Sequence, residues 1–327
     1  MKTLFVRELQ PNQVAKSVFL VQSKEVRQDK GGKSYLSLLL GDRTGMLEAR
    51  MWDGVAEVAD TFDRNDFVEV KGLVQVYRNR PQMQIHTLRR LDDSGVRMAD
   101  FVPHTAQDIG VMWTELRAAV AAVANPQLRA LLDAFLDDPE IAPRYRAAPA
   151  AKTIHHAVLG GLLEHVVSLV RLGRAVAPNY PFVDPDLLLA GIVLHDLGKI
   201  YELDYRRSFS YTTPGKLLGH MAIVLNLLQA KVLTVPDFPP KLKMLVEHMI
   251  LSHHGHHEFG SPTLPAFPEA LLLHYLDDLD SKMESMRASL ANDPFVEGEW
   301  TGMNPALDRQ ILKKDKFLAP DDDAGTR

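Results

Sequence analysis

Between residues 13 and about 92, apolar positions come in short runs broken by Gly, Asp and Asn, which reads as extended chain rather than helix. Residues 17–21 are short and apolar, residues 34–40 form a second extended run, and Gly41-Asp42-Arg43-Thr44-Gly45 is a turn. Residues 46–52 alternate, with Leu47, Ala49 and Met51 on one face and Glu48, Arg50 and Trp52 on the other. Residues 55–62 suit a short helix. Residues 67–77 and 82–89 suit a hairpin around Arg78-Asn79-Arg80-Pro81. Five strands with a helix after the third predict a small all-β barrel of the OB type.

The period then changes. Asp92-Asp93-Ser94-Gly95 marks a boundary, and beyond it apolar residues recur at helical spacing. Helices are expected over residues 114–123 and 126–136. A loop carrying Pro143 and Pro149 follows, then a long helix over 153–176 that bends near Gly160-Gly161. Further helices are expected over 185–197, 216–232, 240–252 and 269–290. The predicted architecture has two domains: the barrel at 1–95, a helical region at 96–150 packing on the second domain, an all-α bundle at 151–315, and a disordered tail at 316–327.

Composition narrows the class. A chain of 327 residues with 46% hydrophobic and 24% charged residues can bury a sizeable core. No apolar run reaches the roughly 20 residues that a spanning helix needs, and the N-terminus lacks a signal-peptide core, so no membrane association and a cytoplasmic location are expected. The absence of cysteine excludes disulfides and thiolate metal sites, leaving His and carboxylates as ligands. Eleven of the 13 His residues lie from His155 onward. Charge divides along the chain. Sixteen Lys/Arg against fourteen Asp/Glu in residues 1–100 give +2, and 21 against 28 in the remainder give −7. An acidic C-terminal part suits a cation site, and a mildly basic N-terminal part suits a polyanion.

The candidate chemistry centres on Leu194-His195-Asp196-Leu197-Gly198-Lys199, where a helix led by apolar residues ends in an adjacent imidazole and carboxylate. Other helices supply partners: His165, His220, the pair His253-His254, and Asp277. Each sits beside apolar residues. Inward His and Asp on successive helices can build a metal site, and burying them without a partner is costly. Asp280 shares a helix face with Asp277 at i, i+3 and competes for the same role. On the barrel, Lys33, Tyr35, Arg43, Arg50, Trp52, Tyr77, Arg78 and Arg80 mix cations with aromatic faces, the combination that binds single strands with little sequence preference.

The order His, His-Asp, Asp resembles the HD superfamily of metal-dependent phosphohydrolases. The match is sharper for one branch. His155-His156-Ala157-Val158-Leu159-Gly160-Gly161-Leu162-Leu163-Glu164-His165 resembles the first motif of the YhaM-type 3′–5′ exoribonucleases. So do Gly255-His256-His257-Glu258-Phe259-Gly260-Ser261-Pro262 and Glu269-Ala270-Leu271-Leu272-Leu273-His274-Tyr275. That family carries an OB domain ahead of its HD domain, and Gly32-Lys33-Ser34-Tyr35-Leu36 with Asp42-Arg43-Thr44-Gly45 fits its pattern. The resemblance extends to about residue 315.

It implies one metal held by His165, His195, Asp196 and Asp277, and a second by His220, His253 and His254, with Asp196 bridging. It also implies single-stranded RNA as substrate, single-stranded DNA as a further one, 5′-monophosphate products and a homo-oligomer. Two ions suit phosphodiester hydrolysis because they neutralise phosphoryl oxygens and help deprotonate water. The His/Asp ligand set points to Mn²⁺, with Fe or Co as alternatives. Lys199, one turn beyond the His-Asp pair, is placed to reach the phosphate as a point charge. His155, His156, Arg206 and Arg207 are candidate substrate contacts. Two other readings remain open at this stage. One is an HD phosphohydrolase of a small or cyclic nucleotide, although His253-His254 runs into Gly255-His256-His257 rather than Gly-Tyr-Pro. The other is a non-catalytic single-strand-binding protein with a relic HD fold.

Overall fold

The computed structural model describes residues 2–77, 80–152, 156–205, 207, 209–291 and 298–319. Contacts divide the chain into two units. One comprises the described residues of Met1–Pro103 and Ser285–Arg327, the other His104–Glu284.

In the first unit, five strands close a barrel: β1 (Val14–Gln28), β2 (Ser34–Asp42), β3 (Gly45–Met51), β4 (Phe67–Tyr77) and β5 (Arg80–Leu91). A one-turn helix α1 (Val55–Val58) follows the third strand. The order around the barrel is β1-β2-β3-β5-β4, with β3 and β5 parallel and the other pairs antiparallel. The alternation in β3 holds: Leu47, Ala49 and Met51 are buried, Glu48 is exposed and Arg50 half-buried. They join Phe19, Val21, Leu36, Leu38, Leu40, Val68, Val70, Met83 and Ile85 in the barrel core. Each such side chain contributes about 1.5–3 kcal/mol by leaving water.

Strand β1 is much longer than the expected 17–21. Its first half, Val14 to Leu20, pairs with β4, and its second half, to Gln28, pairs with β2 across a bulge between Val21 and Ser23. That second half is mostly exposed, so it carries no period-two signal and is held by the backbone ladder.

The second unit is helical: α2 (Ile109–Ala121), α3 (Pro126–Leu136), α4 (Ile141–Ala147), α5 (Gly161–Val176), α6 (Pro185–Leu194), α7 (Lys199–Glu202), α8 (Thr213–Val232), α9 (Pro240–Ser252) and the part of α10 (Pro268–Ala291) up to Glu284. A two-stranded ribbon of β6 (Leu203–Asp204) and β7 (Ser210–Tyr211) lies between α7 and α8. Leu187, Leu188 and every residue from Ala190 to Leu194 are buried in α6, as expected of a helix apolar all round. It packs with Leu116, Leu128, Phe135, Leu162, Val166, Leu169 and Met249. Asp184 caps it, accepting from the backbone N–H of Asp186 and Leu187.

Several expected boundaries shift. The long helix over 153–176 begins only at Gly161; residues 156–160 are not helical, and 153–155 lie outside the described residues. Gly160, at φ 78 in the left-handed region, is the cap before the first helical residue, Gly161. The helix expected over 185–197 stops at Leu194. Residues 141–147, expected as loop, form α4. Pro143 sits in its first turn, where the missing N–H has no intrahelical partner to lose. The contacts also group 285–327 with the barrel unit rather than with the expected 151–315 bundle, and the first unit runs to Pro103 rather than 95. There Asn304 Nδ2 donates to Ser289 Oγ at 2.6 Å and Ser285 Oγ at 3.1 Å, tying the C-terminal segment to the end of α10. Helix α11 (Lys314–Phe317) forms within this segment. Of the expected disordered tail, residues 320–327 lie outside the described residues. Among the described residues, no helix is long and apolar enough to cross a membrane.

Candidate metal centre

His195 is the residue that closes α6, and its Nδ1 is 2.9 Å from the Ile192 carbonyl one turn back. A carbonyl only accepts, so the proton sits on Nδ1 and the Nε2 lone pair faces inward. His253, at the end of α9, repeats the arrangement on the Ile250 carbonyl at 2.7 Å. His254 Nδ1 donates to the Phe259 carbonyl at 2.8 Å. His165, inside α5, faces Asp280 Oδ2 through Nδ1 at 2.7 Å, and His220, inside α8, faces Glu202 Oε1 through Nδ1 at 3.3 Å. Five imidazoles thus turn Nδ1 outward to an acceptor and present Nε2 to one another.

Two glycines aim His220. Gly219 adopts φ 73 in the middle of α8, a left-handed kink that side-chain-bearing residues resist. It brings the His220 backbone N–H to 3.0 Å from Glu202 Oε1. On the other side, a Cβ added at Gly198 would lie 2.1 Å from the His220 carbonyl oxygen, so only glycine admits this approach of the His-Asp turn.

Asp196 lies between the imidazoles. Its Oδ1 is 3.4 Å from His220 Nε2 and 3.7 Å from His253 Nε2. Its Oδ2 is 3.5 Å from His195 Nε2 and 3.9 Å from His165 Nε2. Asp277 Oδ1 is 3.2 Å from His165 Nε2 and 4.0 Å from His195 Nε2. His165, His195 and Asp277 form one group with the spacing of metal ligands, and His220, His253 and His254 form another.

Asp196 Oδ1, His220 Nε2 and His253 Nε2 are buried and have no hydrogen-bond partner. Leaving such atoms unsatisfied costs about 1–3 kcal/mol each. Lone pairs converging on lone pairs and carboxylates fit a cation, and Lys199, with Nζ 2.6 Å from Asp196 Oδ2, answers only one oxygen.

Protonation follows the same logic. Burial alone would raise the Asp196 carboxyl, but Lys199 and His195 outweigh it and hold it well below the usual carboxylate range. Burial pushes the His253 imidazole well below its ordinary value, with His195 adding to the effect, and burial together with His220 lowers His254. Both imidazoles are therefore neutral at physiological pH. Burial opposes a charge on His165, yet hydrogen bonds to Asp277 and Asp280 lift it to about 10, so a proton occupies the place a cation would take.

Residues 162–282 match the HD domain family, and residues 20–91 match the OB-fold nucleic acid binding domain family. A 3′–5′ exoribonuclease YhaM from Shouchella clausii is 34% identical over 313 residues, covering 95% of this chain and 97% of that protein. The YhaM of Bacillus subtilis is 34% identical over 299 residues, 91% of this chain and 94% of the relative. The chain belongs to the YhaM family of 3′–5′ exoribonucleases. The YhaM of a Geobacillus species is similar to it as well, at 35% identity over 287 residues, 88% of this chain and 87% of that protein. The HD domain brings dependence on a divalent metal ion, and the OB domain brings nucleic-acid binding.

The other candidate substrate contacts fare differently. His156 is 7% exposed, with Nε2 3.1 Å from Asp280 Oδ2 and Nδ1 3.8 Å from Glu164 Oε2. Both nitrogens face carboxylates, so the contacts seen for this expected phosphate-binding residue are internal ones. Arg207 is exposed in the loop joining β6 and β7, while His155 and Arg206 lie outside the described residues.

On the barrel, Tyr35 and Trp52 stack at 4.5 Å between ring centroids. The Arg50 guanidinium lies 5.9 Å from the Tyr35 ring and 5.8 Å from that of Tyr77. These four share one outer patch. Lys33 pairs with Asp53 at 2.6 Å. Arg43 lies over Phe5 at 4.5 Å, beyond the far end of β2 from Tyr35. Seven residues of strand, about 23 Å, separate Tyr35 from Asp42, so Arg43 is remote from the aromatic patch. Arg78 and the side chain of Arg80 lie outside the described residues.

Sequence reasoning missed Glu202 and Ser168, and it read Asp280 only as a rival ligand. No spacing rule marks them, because each meets its partner across a tertiary contact: Glu202 eighteen residues from His220, Ser168 112 residues from Asp280.

Proposed function

We propose that this chain is a metal-dependent exoribonuclease that shortens single-stranded RNA from the 3′ end, releasing nucleoside 5′-monophosphates, and that single-stranded DNA is a further substrate. The observation that carries the reading is the convergence of five inward Nε2 atoms on Asp196 and Asp277, with three of the buried atoms unpartnered. The names of the relatives, 3′–5′ exoribonucleases, support the polarity and the RNA.

His165, His195 and Asp277 hold one divalent ion, and His220, His253 and His254 hold a second, with Asp196 offering one oxygen to each group. Imidazole and carboxylate donors without thiolate favour Mn²⁺, with Fe or Co as substitutes. Metal bound here supplies a Lewis acid for phosphoryl oxygen and acidifies water at neutral pH. Asp196 aligns the two halves. Lys199, half-buried with Nζ 2.6 Å from Asp196 Oδ2, adds positive charge beside the carboxylate. Tyr35, Arg50, Trp52 and Tyr77 grip the strand by stacking and phosphate contact. An RNA substrate supports a cytoplasmic setting. Exposed Leu271, Tyr275, Leu279 and Met283, at i, i+4 spacing along α10, support a homo-oligomer, which sedimentation velocity tests.

The deciding experiment incubates 5′-labelled single-stranded RNA and DNA with the full chain and Mn²⁺, with EDTA as control. A ladder of 5′-labelled products shortening from the 3′ end, abolished by EDTA, is expected. Release of labelled mononucleotide first, or activity indifferent to EDTA, would overturn the reading.

A further inference from the structure

Behind His165, on its Nδ1 side, lies a second cluster of buried polar groups. Asp280 Oδ2 is 2.7 Å from His165 Nδ1 and 3.1 Å from His156 Nε2, and Asp280 Oδ1 accepts from the Ser168 hydroxyl. His156 leads on to Glu164, whose Oε1 accepts from Gln107 Nε2 at 3.0 Å. His156 also adopts φ 45, a conformation that non-glycine residues rarely hold unless their surroundings impose it.

His156, His165 and Asp280 are themselves close enough together for metal ligation. The hydrogen bonding argues against that use. Both oxygens of Asp280 are engaged by donors, whereas the unpartnered atoms lie on the other side of His165, around Asp196. The five inward rings also differ in their outer support. His195, His253 and His254 lean on backbone carbonyls, which the main chain fixes. His165 and His220 lean on side chains, those of Asp280 and Glu202, and a side chain fixes a ring only if it is itself fixed. Ser168 and His156 do that for Asp280.

We propose that Asp280 is a positioning residue, held by Ser168 and His156, that locks His165 in the tautomer presenting Nε2 to the metal and strengthens that imidazole as a ligand. Outer carboxylates on ligating imidazoles act in this way. The proposal rests on the metal reading above, and it separates the two carboxylates of α10: Asp277 faces the metal, and Asp280 faces the imidazole.

The test uses the full chain, stripped with EDTA and titrated with Mn²⁺ by calorimetry, with the visible absorption of the Co²⁺-loaded protein as a second readout. Asp280→Ala is expected to load as many ions at saturation as wild type, with affinity weakened on the order of 10- to 100-fold and an altered Co²⁺ spectrum. Asp280→Asn keeps an acceptor for the His165 Nδ1–H and is expected to recover part of the affinity. Ser168→Ala leaves the carboxylate in place and covers the case in which Asp280→Ala fails to fold. It is expected to weaken binding in the same direction by less. Unchanged affinity in Asp280→Asn and Ser168→Ala, or loss of one equivalent of metal at saturation in Asp280→Ala, would overturn the proposal. Wild-type protein that binds no divalent ion would overturn the metal reading and this inference together, whereas wild-type binding with indifferent variants overturns this inference alone.

Discussion

The helical unit and the barrel handle charge in opposite ways. Around Asp196, 3% exposed, carboxylates and imidazoles are buried or half-buried, point inward and leave three atoms unpartnered. On the barrel, the side chains of Lys33 and Asp53 are 58% and 88% exposed and satisfy each other. A buried group without its partner costs far more than an exposed one. The helical unit therefore stores a strong demand for a cation at one point, while the barrel spreads a weak attraction for a polyanion over a surface. The lesson is that a change of one atom should matter in the first region, and that only loss of contact area should matter in the second.

The largest expected effect tests the buried side. Asp196→Ala removes the carboxylate between the two histidine groups. It should abolish hydrolysis, a loss exceeding the roughly 10- to 100-fold typical of outer partners, while far-UV circular dichroism stays near wild type. Activity close to wild type with metal content unchanged would remove Asp196 from the centre.

Next comes the close approach behind it. Gly198→Ala places a methyl 2.1 Å from the His220 carbonyl oxygen. Overpacking of this kind costs about 1–3 kcal/mol, so the melting temperature should fall and metal affinity should fall with it. A variant as stable and as tightly metallated as wild type would mean that the turn tolerates displacement.

On the barrel, Trp52→Ala removes one face of the Tyr35–Trp52 stack. A stacked base is worth about 1–3 kcal/mol, so the apparent KM for a long single strand should rise by roughly tenfold, with kcat on a small chromogenic phosphodiester unchanged. Equal loss on both substrates would place Trp52 outside strand binding. Lys33→Ala, by contrast, breaks only an exposed pair and should change KM by less than about threefold at physiological salt, in line with the 0–1 kcal/mol of surface pairs.

The smallest effect concerns stability. Asp138 accepts from the N–H groups of Glu140 and Ile141 at the start of α4 and pairs with Lys231 at 2.6 Å. The Lys231 hydrogen bond, aided by the Ile141 N–H, holds its carboxyl at about 2 against an ordinary 3.8. A depressed carboxyl stabilises the fold fully above its unfolded value and loses that contribution as pH falls through the folded one. The difference in urea-unfolding stability between wild type and Asp138→Asn, about 1 kcal/mol at neutral pH, should therefore shrink between pH 4 and 2. A gap that persists well below pH 2 would mean that the charge on Asp138 does not carry it.

The amino-acid sequence by itself determined the two architectures and the identities of the seven residues that converge. Period-two alternation in 46–52 and the apolar run before His195 report burial directly, because they depend only on which face of a strand or helix leaves water. The spaced His and Asp residues were legible because metal-binding chemistry restricts residue types so severely. The sequence did not determine the outer half of β1, which pairs through backbone alone, nor α4, where the prolines read as breakers. Nor could it separate Asp277 from Asp280, three residues apart on one helix face. Tertiary structure alone decided that Asp277 looks toward His165 Nε2 and Asp280 toward its Nδ1, that Glu202 holds His220, and that His156 points inward at a carboxylate. The physical reason is that hydrogen bonds between distant segments are set by the packing of whole helices, and no local period along the chain records which side chain waits on the other side.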